Sequence, residues 1–349
     1  MNEPQRAPGV SIICPAFNEE DGIAGAIDRL RECLDALPVA AEVLIINDGS
    51  TDRTAAVAAA AIGLDPRFRL FTHKVNFGRG RAMRTGFQEA LGEIVITTEA
   101  DLSWGKEVIG RMIEALDRDF KLDAVFASPH LPGGGYRNVP WYRILLSRVG
   151  NRLLRALYPS SISMTTGMTR AYRASVIQGQ QLARDGKELH LEIAHRLMSL
   201  GYRIGEVPAT LSWPAEDDAR RASRGRRTNW TTIRRLIASH LAFGFLQGIS
   251  RIIVPSILFL TIAIVVFGLW AIRNLLVHQV SIFLVVLTGV LLVLWVNLTV
   301  GYFLLSHVFQ VQTDVWRLDK ALARDRLTDR SPQPPRHYYY EESRPAPHL

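Results

Sequence analysis

Over its first two hundred residues the chain alternates short β-branched and aliphatic runs with longer stretches of helical periodicity. Val10–Cys14, Val43–Asn47, Arg69–Lys74, Ile94–Thr98 and Asp123–Ala127 read as strands, and Tyr202–Val207 as a last one. Between them, residues 18–37 form a helical pattern with acids in its first turn, and residues 50–64 one capped by Ser50 or Thr51. Helices over residues 81–91 and 106–119 continue the alternation. This order predicts an α/β domain with a mainly parallel sheet. The Gly- and Pro-rich loop Ser128–Pro140 reads as mobile. A basic amphipathic helix over residues 141–158 follows, with Arg143, Arg148, Arg152 and Arg155; an ordinary solvated face is its alternative reading.

The pattern changes after residue 212. Ile252–Ile272 is 21 residues without a charge and Val280–Leu305 is 26. Each is long enough to cross a hydrocarbon core of about 30 Å as a helix. Thr228–Gly248 is basic early and apolar late, the pattern of a helix lying in the membrane interface. The end of the chain is Pro-rich and polar, a composition that disfavours a packed core. The expected division is a soluble domain over 1–212, a basic juxtamembrane segment over 213–251, two spans within 252–305, and a largely disordered cytoplasmic tail over 306–349.

Charge refines this picture. The net charge is +8, but residues 1–219 carry −2 and residues 252–349 carry +2, while residues 220–251 hold eight arginines and no acid. A basic block beside a membrane suits anionic headgroups or a phosphorylated lipid, not a nucleic-acid footprint. Positive flanks place both ends in the cytoplasm and the connector Arg273–Gln279 outside, in a bacterial inner membrane. The N-terminus lacks the apolar core of a signal peptide. Cys14 and Cys33 make no disulfide framework.

In open α/β sheets, ligands bind beyond the carboxyl ends of the strands. Here four successive strands lead into polar loops: "PAFNEE" with Asn18, Glu19 and Glu20; "NDGSTD" with Asp48; "NFGRGRA" with Asn76, Arg79 and Gly80; and "EADLS" with Glu99 and Asp101. The set and its order resemble family 2 glycosyltransferases of the GT-A fold. The polyprenyl-phosphate branch, typified by dolichol-phosphate mannose synthase and bacterial undecaprenyl-phosphate glycosyltransferases, is most similar. The resemblance covers roughly Val10–Pro208 and accommodates two C-terminal spans.

The resemblance implies a Rossmann-like GT-A domain and an enzyme. Its donor would be a nucleotide-diphosphate sugar held by Pro15, Ala16, Asn18, Glu19, Asp48, Asn76, Arg79 and Gly80. Arg79 stands where the family has lysine, so a point charge becomes a planar fork. Glu99-Ala100-Asp101 occupies the place of the family's D-x-D, which implies that Mg²⁺ or Mn²⁺ sits on Asp101 and Glu99, the two residues central to catalysis. Asp101 is the principal carboxylate. The acceptor would be a polyprenyl monophosphate, already ionised and able to attack without a general base. Arg143, Ser147 and Arg148 match the family's acceptor-phosphate helix. Arg221 and Arg224 are candidates for its arginine before the membrane. Departures are Ser163 where the family has Asp, and His190 in place of Gln beside the retained Glu192. His190, Glu192 and His195 do not make H-E-x-x-H.

These features imply inverting transfer to a lipid phosphate on the cytoplasmic leaflet. Membrane lipid is a partner and nucleic acid is not. Two isolated spans would also pack against copies of themselves, as a homo-oligomer. The alternatives are a non-catalytic nucleotide-sugar-binding scaffold, or a membrane glycosyltransferase acting on a glycan. A nicotinamide dehydrogenase is disfavoured because "GRGRAM" follows the third strand and lacks the final glycine. A processive synthase is disfavoured because "Q-x-x-R-W" is missing.

Overall fold

The computed structural model describes residues 8–141, 144–145, 147–148, 162–164, 167–213, 230–277, 281–328 and 340–343, with side chains left undescribed in 230–252, 319–328 and 340–343. In chain order its elements open β1 (Val10–Ala16), α1 (Ile23–Ala36), β2 (Ala41–Asn47), α2 (Thr54–Ile62), β3 (Phe68–His73), α3 (Arg79–Glu89) and β4 (Ile94–Thr97). Then come α4 (Glu107–Arg118), β5 (Ala124–Ser128), β6 (Gly135–Arg137), β7 (Arg170–Arg173), α5 (Ala174–Ile177), α6 (Leu189–Ser199), β8 (Ile204–Pro208) and β9 (Thr210–Ser212). Two long helices, α7 (Trp230–Leu276) and α8 (Ile282–Thr328), and a strand β10 (Tyr340–Ser343) follow.

The main sheet has the order β10-β3-β2-β1-β4-β7-β5-β8. Its β1–β2, β2–β3, β1–β4 and β5–β8 pairs are parallel, as alternation with helices predicts. Strand side chains alternate between faces, so the sheet separates two cores. Ile12, Cys14, Val43, Ile45 and Ile96 meet α1, α2 and α4 on one side. Ile13, Leu44, Ile46, Phe71 and Val95 meet α3 and α6 on the other. Helix α1 shows why: Ile23, Ala26, Ile27, Leu30, Cys33 and Leu34 form a single buried stripe at i, i+3, i+4 and i+7.

Five features differ from the sequence reading. β7 runs antiparallel between β4 and β5. Within the Gly- and Pro-rich loop, Gly135–Arg137 is fixed by parallel pairing with Thr210–Ser212, and Trp213 N–H donates to Arg137 O. The segment read as an interfacial helix is continuous with the first apolar span in α7: no breaker separates them, and Pro255 removes only one helical hydrogen bond. Beyond the second span, α8 continues to Thr328, and β10 adds to the edge of β3.

Ile253–Leu276 and Ile282–Leu318 are long and apolar enough to cross a membrane. At 1.5 Å per residue, a helix of 47 residues is about 70 Å long, more than twice a hydrocarbon core. Each helix therefore extends well beyond a bilayer as a rod.

Candidate functional site

β2 and β3 lie on one side of β1 and β4 on the other, so the winding reverses between β1 and β4. A crevice forms beyond the carboxyl ends of strands at such a point. A cleft of about 1010 Å³ lies there. Pro15, Ala16, Asn18, Glu19, Asp48, Asn76, Arg79, Glu99 and Asp101 all line it. Phe17, Asp21, Arg29, Met168 and Lys187 line it as well, and sequence reasoning missed them.

The polar loops brace one another. Asn18 has a positive φ of 54°, and its side-chain oxygen accepts from Thr51 N–H at 2.9 Å. Its own amide donates to Ser50 Oγ, and the Glu19 amide to Thr54 Oγ1. Gly49 has φ +64°, and a Cβ there would clash with the Val75 carbonyl carbon, so only glycine allows the β2 and β3 loops to touch.

Asp48 lies on the cleft floor, but it is buried and its carboxylate is engaged. Oδ2 accepts from Gly78 N–H at 2.8 Å, and Oδ1 from Phe77 N–H at 3.1 Å. His73 Nδ1 stands 2.8 Å from the same Oδ1, and its Nε2 lies 3.0 Å from Thr85 Oγ1. In this arrangement Asp48 shapes the "NFGRG" loop.

Gly80 does not line the cleft. Its amide donates to Asp185 O at 2.7 Å, as does that of Arg81 at 3.2 Å. A Cβ at Gly80 would meet Gly186 O at 2.6 Å. The glycine therefore admits the segment Ala183–Lys187 over the start of α3. Glu192 secures that segment from below, its carboxylate accepting from Ala183 N–H at 3.0 Å and Arg184 N–H at 2.9 Å. Gly186 and Lys187 thereby reach the cleft wall. The sequence carries a signal for this segment, the charged turn "RDGKE" before a helix.

The two carboxylates of "EADLS" differ. Glu99 Oε2 accepts from Ser103 Oγ–H at 2.9 Å, and Oε1 lies 3.6 Å from the Arg79 guanidinium. Burial raises the Glu99 pKa and Asp101 raises it further, against the pull of Arg79, Ser103 and Trp104. Asp101 Oδ1 accepts from Ser103 N–H at 3.0 Å, while Oδ2 has no hydrogen-bond partner among the described residues. Beneath them, burial and then Asp101, Glu19 and Glu99 push the Cys14 thiol up to about 12. Burial holds Arg79 below its ordinary value, with Glu99 opposing. Behind Arg79, His190 is buried with neither ring nitrogen hydrogen-bonded among the described residues. Its pKa is driven well down by burial, then by Arg79 and Arg170. Acids and cations thus share one wall, an arrangement suited to a cation bridging phosphate oxygens.

No cluster of three or more His, Cys, Asp or Glu side chains able to cage a metal occurs among the described residues. His190, Glu192 and His195 do not converge into such a group. One or two carboxylates with ligand positions left over is the donor set of a cation completed by water and substrate phosphates.

Of the residues that the sequence suggests for an acceptor phosphate, Ser147 is half-buried and Arg148 exposed. Tyr136 of β6 is raised by burial, against a hydrogen bond from Ser147 and the charge of Arg148. The structure therefore brings these two predicted residues to the fixed part of the loop. Ser163 forms a buried network instead of a cleft contact. Its amide and hydroxyl both donate to Glu206, and its hydroxyl meets that of Ser128. Arg143, Arg221 and Arg224 lie outside the described residues.

The family model described as Glycosyl transferase family 2 matches residues 11–179. A polyprenol monophosphomannose synthase of Mycolicibacterium smegmatis is 29% identical over 208 residues, covering 58% of this chain and 76% of that one. An undecaprenyl-phosphate mannosyltransferase of Micrococcus luteus is 30% identical over 207 residues, covering 58% of this chain and 82% of that one. Among solved structures, glucosyl-3-phosphoglycerate synthase from Mycobacterium tuberculosis with uridine diphosphate superposes with a TM-score of 0.51. It is 20% identical and covers 68% of this chain and 80% of that chain. That likeness establishes the GT-A glycosyltransferase fold for the sheet and its helices.

Proposed function

Because the chain belongs to glycosyl transferase family 2, we propose that it transfers a sugar, with inversion, from a nucleotide-diphosphate sugar to a polyprenyl monophosphate. The observation that carries this reading is one cleft bearing Asp101, Arg79 and Lys187 in a chain that also has two membrane-length helices. The donor diphosphate lies along the wall formed by Arg79 and Lys187. Asp101, with Glu99 beside it, would hold Mg²⁺ or Mn²⁺, which supplies charge neutralisation of the leaving diphosphate.

The protein's own part is alignment. The acceptor phosphate is an anion at neutral pH, so no side chain needs to remove a proton from it. Ser147 and Arg148, with Arg143, Arg221 and Arg224, orient that phosphate at the membrane side of the cleft. Its oxygen attacks the anomeric carbon as the nucleoside diphosphate departs from the opposite face. One displacement inverts the configuration, and the charge passes from one phosphate to another between fixed cations. Both ends of the α7–α8 hairpin, and with them the catalytic domain, face the cytoplasm.

The test is direct. Membranes containing the protein are incubated with radiolabelled nucleotide sugars and polyprenyl phosphate, with and without EDTA. A labelled, mild-acid-labile lipid that disappears with EDTA supports the reading. Transfer to a glycan without a lipid intermediate overturns it.

A further inference from the structure

Helix α6 is buried on every side over Leu189–Leu197, although it contains His190, Glu192, His195 and Arg196. One face enters the core through Leu189, Ile193, Ala194 and Leu197. Beyond the core face, α6 packs against α7 and meets side chains of α8. The Trp316 ring stands edge-on to His195 at 5.1 Å between centroids, and the Arg196 guanidinium lies 5.0 Å from the Trp316 centroid. Phe309, seven residues earlier on the same helical face, lies 6.1 Å from His195. Trp316 is 6% exposed, while its neighbours Val315 and Leu318 are 49% and 65% exposed. The contact is therefore specific to this face.

Helix α6 also anchors the segment that reaches the cleft. Arg196 donates to Gln181 O, and Glu192 accepts from the amides of Ala183 and Arg184. Asp185 O then meets Gly80 and Arg81, and Gly186 and Lys187 line the cleft. The path runs from α8 through Trp316 and Arg196 to Gln181 by a packed ring and a hydrogen bond, and from Gln181 along the backbone to Lys187. At 1.5 Å per residue, Ile282–Leu305 spans about 36 Å, enough for the bilayer, so Phe309 and Trp316 stand beyond it on the side of the catalytic domain.

We infer that Trp316 is a positioning residue for the donor: the end of the membrane helix, docked on α6, fixes the segment 181–187 and so places Lys187 against the nucleotide diphosphate. Only the identity of that ligand rests on the proposed function; the mechanical link does not. Loss of one ring that stacks on a histidine and a guanidinium weakens such a link by about three- to tenfold in equilibrium terms.

The experiment compares full-length wild type, Trp316→Ala, Trp316→Phe and Phe309→Ala in nanodiscs. Amide hydrogen exchange over residues 181–187 is the first readout. The donor KM and kcat, and UDP or GDP binding with Mg²⁺, are the second. The expected result is exchange about three- to tenfold faster over 181–187 in Trp316→Ala, with β1 and β2 unchanged. Donor KM rises by a similar factor, kcat stays near wild type, and Trp316→Phe recovers most of both. Unchanged exchange over 181–187 in both alanine variants overturns the inference, as does acceleration spread equally over β1 and β2. If no donor is turned over, the exchange pattern still decides the mechanical link, and that failure counts against the proposed function alone.

Discussion

Replacing Asp48 by asparagine separates two roles for a residue that the sequence assigns to the nucleotide. The buried carboxylate accepts from Phe77 N–H, Gly78 N–H and His73 Nδ1. Asparagine offers one carbonyl oxygen and one amide group. In its best orientation the oxygen keeps Phe77 and His73, and the amide then faces the Gly78 N–H, donor against donor. One charge-assisted hydrogen bond is lost, and one buried N–H is left unmade, at a cost of about 2–4 kcal/mol. For an α/β domain of this size, that is a fall in Tm of roughly 5–12 °C. The same loosening leaves the "NFGRG" loop and Arg79 less often in place, so donor KM rises about tenfold or more. Thermal unfolding of the ligand-free protein in detergent, beside donor kinetics, measures both. A variant with wild-type Tm and raised donor KM would refute the argument, because Asp48 would then act on the nucleotide alone.

Four further outcomes are expected. Asp101→Asn abolishes transfer from every donor, while Glu99→Gln keeps measurable activity; equal loss in a radiolabel assay would contradict the division between them. Glu99 has a folded pKa above its unfolded 4.5, so the folded state holds the extra proton and loses stability as pH rises from there through the folded value. Glu99→Gln should therefore raise Tm at pH 7 and flatten the rise of unfolding toward neutral pH. His195 is held down to about 4 by burial, then by Arg196. Its stabilising contribution is complete above 6.5 and declines as pH falls toward 4, by about 3 kcal/mol, so chemical denaturation at pH 7 and pH 4.5 should differ less in His195→Phe. Arg221→Ala with Arg224→Ala should raise acceptor KM far more than donor KM; equal effects would remove those residues from the acceptor site.

The cleft was legible because each of its loops follows a strand that announces itself. β1, β2 and β4 are almost continuous apolar runs, as strands covered on both faces must be. β7 was not legible. "RAYR" is short and polar, and nothing local predicts that Arg170 will be buried. Its guanidinium meets distant groups, the Phe126 ring at 4.1 Å and His190 O at 2.8 Å. β6 and β9 were hidden for the same reason, since each is three residues long and pairs with a strand distant in the chain. The length of α7 and α8 was underestimated because polarity was read as an end, whereas a helix leaving a bilayer has no reason to stop where its side chains become polar.

Residue types located the site, but only geometry separates those that meet a ligand from those that hold the ones that do. Glu99 and Asp101 illustrate the difference. The extra methylene of glutamate carries its carboxylate past the turn to Ser103 Oγ and toward Arg79. Asp101 is shorter and stays at the turn, tied through one oxygen to Ser103 N–H, with the other oxygen unengaged among the described residues. The turn is sharp enough to need φ +47° at Leu102, which is buried and holds it. A planar guanidinium at Arg79 and a long carboxylate at Glu99 are therefore mutually explanatory: each reaches the other along one wall of the cleft. The pair orders the wall on which a diphosphate would lie, and Asp101 is left as the carboxylate facing it.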